Sequence, residues 1–193
     1  MIYFTSDFHL SHNNIRTYCN RPFDSVKEMD NTILSNLHTT LKKGDILYFL
    51  GDLSMGQVGV QRFLEDVKTI GVEVHIILGN HDRDLQNFLS RNRNFYPVRS
   101  ISDIKNIILE GQSVTLCHYP MLTFNKSHYG AWQLYGHHHN GNFHANIPPA
   151  VAGKRMNVGV DVNNFMPVSW EKVKEYMSHQ PNNFDLIPEK DWR

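Results

Sequence analysis

Cysteine is nearly missing from this chain: Cys19 and Cys117 are its two thiols, and they form no C-x-x-C pair. That disfavours a disulfide-stapled secreted domain and a cysteine-rich structural zinc site. Long apolar runs are missing too. The N-terminal stretch from Met1 to Ser6 has no basic region and its run ends at Asp7, too short for a signal-peptide core. No segment approaches the ~18 apolar residues needed to span a bilayer. Charge of one sign is the third absence: 19 lysines and arginines balance 19 aspartates and glutamates, so nothing global steers the chain to nucleic acid or a membrane. There is no internal repeat, low-complexity tract or long linker. With 40% hydrophobic content, 193 residues suit one domain spanning positions 1–193. A cytoplasmic location is expected.

What the chain does have is histidine, 12 in all. Histidine is the commonest metal ligand, so their placement matters. Short apolar runs rich in β-branched and aromatic residues predict buried strands from Ile2 to Thr5, Asp45 to Leu50, Val72 to Leu78, Ile107 to Leu109, Ser113 to Cys117, Gln133 to Tyr135 and Met156 to Val160. Helical patterns lie between them. One starts at Ser25, where Ser25 and Glu28 have capping-box spacing and Val26, Met29, Ile33 and Leu37 form a stripe. Others cover Val60 to Ile70, Asp82 to Leu89, and a segment from an N-capping Ser169 through Trp170, Val173 and Met177. Early alternation of strands and helices, followed by clustered strands, predicts a layered α/β fold with a partly antiparallel second half. Gly141 to Lys154 reads as one long loop, and Pro181 to Arg193 as a loosely packed end.

Just past five of these strands stand ligand-type residues: Asp7 and His9, then Asp52 after Gly51, then Asn80, His81 and Asp82 after Gly79, then His118, then His137 and His139 after Gly136. In α/β sheets, loops at the carboxyl ends of strands converge on ligands. Carboxylates, an amide oxygen and imidazoles form a mixed oxygen and nitrogen set suited to manganese, iron, cobalt, nickel or zinc, and thiolates are lacking. Seven such side chains exceed the needs of one four-coordinate ion and suit two ions that share a carboxylate. Two divalent cations less Asp7, Asp52 and a bridging hydroxide leave one positive charge, which invites an anion. Taken singly, each piece has an ordinary reading as a turn, a helix cap or a hydrogen-bonded histidine. All five in one order, each at a strand end, reverse that reading.

D-x-H, G-D, G-N-H-D, a later single H and G-H-x-H resemble the calcineurin-like metallophosphoesterase superfamily, with the pieces running from Asp7 to His139. The chain also resembles small, cap-less members from bacteria and phages, through Ser6 to Ile15, Arg21-Pro22-Phe23 and Asn157 to Asp161; the cell would be a bacterium or a phage-infected host. The resemblance implies an α-β-β-α sandwich of two mixed sheets flanked by helices. It implies that Asp7, His9 and His139 hold one metal, that Asn80, His118 and His137 hold the other, and that Asp52 bridges them. His81 would be the catalytic histidine and Asp82 its orienting partner. Two divalent ions, manganese first, are the expected cofactors, and a metal-bridging hydroxide the nucleophile.

The implied reaction is hydrolysis of a phosphate ester, directed at a diester or a nucleotide. A nuclease of the same fold, or a metal-stabilised binding protein without turnover, are the alternatives. The expected partner is a small phosphorylated molecule, with no membrane and no long nucleic acid, since the neutral charge leaves no electrostatic footprint for it. His12, Arg16, Arg21 and Arg83 lie next to motif residues and are candidate substrate contacts, arginine being suited to bidentate phosphate binding. Their alternative is an ordinary solvated surface role. The stretch from Arg91 to Arg99 could stack a base or pack inward. His138 should point away from its two neighbours, and Cys117 is expected to be a buried, inert thiol.

Overall fold

Apolar runs too continuous for one-sided burial become strands covered on both faces. The computed structural model describes residues 1–92, 97–139 and 153–188. A first sheet contains β1 (Ile2–Thr5), β2 (Ile46–Phe49), β3 (Glu73–Ile77), β4 (Val98–Ser102) and β9 (Val168–Ser169), in the order β4-β3-β2-β1-β9. All its neighbours run parallel except β9 against β1. A second sheet has the order β5-β6-β7-β8, from Ile104–Leu109, Gln112–Cys117, Trp132–Tyr135 and Arg155–Asn157. There β5 and β6 form an antiparallel hairpin, while β6, β7 and β8 are parallel. The hairpin turns at Glu110 and Gly111, at φ of 50° and 86°, the double left-handed geometry that suits the strands' twist.

The period of two divides the first sheet's side chains between two cores. Tyr3, Leu47, Phe49, Val74 and Ile76 face α2 (Val26–Thr40) and α3 (Gln57–Ile70), packing with Met29, Ile33, Leu37, Val60, Phe63, Leu64 and Val67. Phe4, Tyr48, Leu50 and Ile77 instead meet Val114, Leu116, Leu134 and Met156 of the second sheet. The C-terminal helix α5 (Trp170–Ser178) adds Trp170, Val173 and Met177 to this inter-sheet core and lies against β1, β8 and β9. The result is an α/β fold of two mixed sheets flanked by helices. Capping follows the sequence: Ser25 Oγ accepts the Glu28 amide at 3.1 Å and Ser169 Oγ accepts that of Lys172 at 3.2 Å.

Several elements depart from expectation. The first sheet's outer strand β4 mixes polar and apolar residues, Val98-Arg99-Ser100-Ile101-Ser102, because one of its sides is exposed, so it lacks the apolar run of a central strand. The two-residue β9 and the single turn α1 (Ile15–Tyr18) are too short for a periodic signal. Met156 to Val160 does not continue as one strand: β8 ends at Asn157 and Val160–Val162 forms a 3-10 turn. Helix α4 covers Arg83–Arg91. Of the long loop expected from Gly141, only Gly153 and Lys154 are among the described residues; Arg93 to Tyr96 and the last five residues also lie outside them. No helix among the described residues is long and apolar enough to cross a membrane.

The helix-side core should be sensitive at Phe63, whose ring is fully buried and stands 5.9 Å from Phe8 and 5.2 Å from Phe49 between centroids. Phe63→Ala is expected to cost about 3–5 kcal/mol through lost burial and an unfilled cavity. Urea unfolding of the variant beside the parent measures it, and a loss under about 1 kcal/mol would mean that the helices repack freely.

Candidate metal centre

Parallel strands present their carboxyl ends on one side, and there the backbone takes a conformation that ordinary residues avoid. Asp7, His9, Asp52 and His137 have φ of 62°, 50°, 59° and 68°. Left-handed backbone at non-glycine residues is uncommon and persists where surrounding contacts enforce it. The β1–β2 pairing enforces it here: Asp7 N–H donates to the Gly51 carbonyl at 2.9 Å, His9 N–H to that of Asp52 at 3.0 Å, and Leu10 N–H to that of Leu53 at 2.9 Å. Gly51, at φ 90°, lets the loops close: a Cβ there would lie 2.5 Å from Gly79 N and 2.8 Å from His118 Nδ1. At Gly136 a Cβ would stand 2.3 Å from Ser6 Oγ and 2.5 Å from Asp7 Oδ2.

Three groups of ligand atoms result among the described residues, Asp7 with His9 and His139, Asp52 with His118 and His137, and Cys19 with His139 and Asp161, each with its atoms within 4.8 Å of one another; the first two hold the residues of the strand-end motifs. Asp52 Oδ2 lies 3.4 Å from His9 Nε2 and 3.4 Å from His118 Nε2, so it stands between those two groups. Both of these nitrogens are buried without a hydrogen-bond partner. Buried polar atoms are nearly always paired, so two orphans aimed at one carboxylate oxygen fit a site built for cations. His118 can offer Nε2 because its Nδ1 donates to the Leu50 carbonyl at 2.7 Å. Asn80 is beside the second group, its Oδ1 accepting from Tyr119 Oη at 3.4 Å; the Tyr119 ring is 5.0 Å from that of His118 and 4.9 Å from that of His137.

Positioning comes from residues to which sequence reasoning gave other roles or none. Asp161, within the quoted Asn157 to Asp161 segment but with no role assigned there, accepts from His139 Nδ1 at 2.8 Å. Its carboxylate is gripped by Arg21 through Nε and Nη2, both at 2.7 Å, while Arg21 also donates to the carbonyls of Asp7 at 2.7 Å and Phe8 at 2.8 Å. Arg21 was expected beside the substrate; it is instead buried, with its guanidinium committed inside the protein. Asp82, expected to orient His81, accepts three backbone amides, those of Asp52 at 3.0 Å, Leu53 at 2.8 Å and Gly79 at 2.7 Å. It ties the Asp52 turn to the Gly79 turn. Asn157 Nδ2 donates to the His138 carbonyl at 2.6 Å, holding the histidine loop.

His81 is exposed on the open side, its ring 5.3 Å from that of His9, and its amide donates to Asp52 Oδ1 at 2.8 Å. Half-buried His12 joins it, 6.5 Å from the His81 ring, with Nδ1 3.4 Å from His9 Nδ1. Arg16 is half-buried on α1 and Arg83 is exposed at the start of α4. His138 is half-buried, its ring at 84° to that of His137. Cys117 is buried, as expected.

The electrostatics match the geometry. Burial opposes the charge on Asp52, but the neighbouring His118, the hydrogen bond from the His81 amide and the charge of His9 outweigh it and hold the carboxyl at about 2. Burial holds His9 down at about 3, keeping the imidazole neutral and able to ligate. Burial acts against the imidazolium of His139 too, but the Asp161 hydrogen bond, aided by Cys19 and Asp7, raises it to about 10. Burial pushes the Asp7 carboxyl up. Asp7, buried and close to Asp52, thus carries its charge at a cost that a neighbouring cation would offset.

Residues 1–183 match the family described as calcineurin-like phosphoesterase. An uncharacterized protein of Methanocaldococcus jannaschii is 33% identical over 174 residues, which are 89% of this chain and 88% of that protein. A crystal structure of a protein of unknown function from Aquifex aeolicus superposes with a TM-score of 0.70 at 25% identity, covering 91% of this chain and 98% of that one.

Replacing Asp161 by Asn keeps the size of the anchor and removes its charge. The affinity for added manganese is expected to fall about 10- to 100-fold if His139 ligates it, the usual effect of losing a partner that orients a ligand; calorimetric titration reads it, and an unchanged isotherm would remove Asp161 from this role. The titration of His139 carries a sign. In the metal-free protein its ion pair stabilises the fold fully below pH ~6.5, and that contribution is lost as pH rises towards about 10. A metal must displace the same proton. Metal binding at pH 7 should therefore release protons and tighten as pH rises, which titration in buffers of different ionisation enthalpy measures. Binding without proton release would overturn this.

Proposed function

Because the chain belongs to the calcineurin-like phosphoesterases, metal-dependent hydrolases of phosphate esters, we propose that it uses a pair of divalent ions to hydrolyse a phosphodiester or a nucleotide. The observation that carries this is the pair of orphaned nitrogens, His9 Nε2 and His118 Nε2, facing one oxygen of Asp52. Asp7, His9 and His139 would hold one ion, Asn80, His118 and His137 the other, and Asp52 both. Manganese is the first candidate, since the donors are oxygen and imidazole nitrogen. Bound there, such ions activate a water and neutralise phosphoryl oxygens.

The chain's own residues supply the rest. Asp82 and the Arg21–Asp161 pair fix the loops, so the donors need no reorganisation when an anion arrives. The open side is lined by His81 and His12. His81, whose backbone amide donates to Asp52 and whose side chain is exposed, would donate a proton to the leaving alkoxide. Half-buried His12 beside it, with Arg16 and Arg83, stays a candidate for a phosphate contact, whereas Arg21 has no free donor geometry left for one.

The test is hydrolysis by the manganese-loaded protein of bis-p-nitrophenyl phosphate, p-nitrophenyl phosphate, cyclic nucleotides and single-stranded DNA. Turnover of diester and nucleotide, abolished by chelation and restored by metal, is the expected result. Two metals bound without turnover on any of them would point to a binding protein, and preference for the DNA to a nuclease. His81→Ala should keep both metals and lose turnover by about 10²–10⁴-fold on esters with poor leaving groups, less on nitrophenyl esters. Equal activity on an unactivated ester would exclude His81 as the acid.

A further inference from the structure

Immediately after His118 the chain places Tyr119, whose side chain stands against two ligand histidines yet is 43% exposed. Its ring meets those of His118 and His137 at 79° and 65°, and its hydroxyl reaches Asn80. The ring therefore touches every member of the second metal group except the shared Asp52. A residue that served only to brace the histidines would be covered; this one turns part of its aromatic surface outward at the rim of the site.

The segment carrying it is fixed by two side chains that are expensive to bury. Gln133, fully buried, donates from Nε2 to the Tyr119 carbonyl at 2.9 Å and accepts the Met121 amide at 3.0 Å. Arg155, 1% exposed, donates to the carbonyls of Met121 at 3.1 Å and Leu122 at 2.7 Å and lies 5.3 Å from the Phe124 ring centre. Buried amide and guanidinium groups at paired positions of the neighbouring strands β7 and β8 are thus used to hold one short run of backbone. An aromatic ring on such a rigid support loses little entropy when a ligand packs on it.

We propose that Tyr119 is a specificity-determining residue that offers a fixed aromatic surface to the organic group of the phosphoester, favouring a planar group, an aryl ring or a nucleobase, over an aliphatic one. The identity of the ligand as a phosphoester rests on the function proposed above. Aromatic surfaces discriminate in this way because stacking rewards a flat π-face and is tolerant of its substituents.

The manganese-loaded protein is titrated calorimetrically with phenylphosphonate and methylphosphonate, and kcat/KM is measured for phenyl and ethyl phosphate. The parent should bind the phenyl compound more tightly. In Tyr119→Ala the phenyl-to-methyl affinity ratio, and with it the phenyl-to-ethyl ratio of kcat/KM, should fall about tenfold, equivalent to about 1.4 kcal/mol. Tyr119→Phe should restore the ratio, and Tyr129→Ala, at another exposed tyrosine (53%), should leave it unaltered. Tyr119→Leu, of similar bulk but not planar, serves if the alanine variant loses metal. A ratio that does not move, or equal losses on both ligands, overturns the proposal and leaves Tyr119 as a brace for the histidines. If no ester is turned over but the phosphonate ratio behaves as stated, the phosphoesterase reading fails while Tyr119 stands.

Discussion

The structure depends on the placing of one carboxylate. Asp52 must sit, ionised, within 3.4 Å of two buried imidazole nitrogens that come from different sheets. A left-handed turn at φ 59° after β2 puts it there, and such a turn is unfavourable for aspartate unless its neighbours insist. The insistence is visible: Asp82 takes the amides of Asp52 and Leu53, His9 donates its amide to the Asp52 carbonyl, and Gly51 leaves room for Gly79 and His118. Removing any one of these leaves a buried donor unpaired or a loop without space. Local strain is therefore set against a network of hydrogen bonds rather than against any single contact.

The two sheets are unequal partners in this. The first, parallel except for β9 and packed on both faces, delivers Asp7, His9, Asp52 and Asn80. The second brings His118 and His137 to meet them, and registers itself on the first through polar contacts at the same end: His118 Nδ1 to the Leu50 carbonyl, and the His137 amide to both oxygens of Asp7 at 3.0 and 3.1 Å. The apolar inter-sheet core supplies the association, which is not directional. The hydrogen bonds supply the register. The site and the docking of the sheets are thus one structure.

How much of this was legible in sequence follows from what kind of signal each residue leaves. The ligand-type residues were readable because each follows an apolar run directly, and a strand's end is marked by the change from apolar to polar. Helices α2 and α5 were readable from capping serines and periodic apolar positions. The edge strand β4 was not, because a strand exposed on one side has no continuous apolar run. The true partners of Arg21 and Asp82 were not legible either. Arg21 and Asp161 are 140 positions apart, and Asp82 reaches back about 30 residues to two of its three amides, so spacing along the chain carries no trace of those contacts. Chemistry alone favoured the wrong neighbours, an anion for the arginine and the adjacent histidine for the aspartate.

That failure has a physical lesson about charged residues near a polyvalent site. A charged side chain beside a motif is commonly assigned to the ligand, because the ligand is charged. Yet a site that assembles donors from separate loops must first neutralise and orient its own backbone, and only charged groups hold several amides or carbonyls strongly enough. Arg21 joins the carbonyls of Asp7 and Phe8 to Asp161, and through it to His139, so a single cation links the start of the chain to the histidine loop. With its donors used in this way, it cannot also close on a substrate. In the proposed function, contact with the substrate falls to groups that the framework does not need, among them exposed His81 and Tyr119 and half-buried His12.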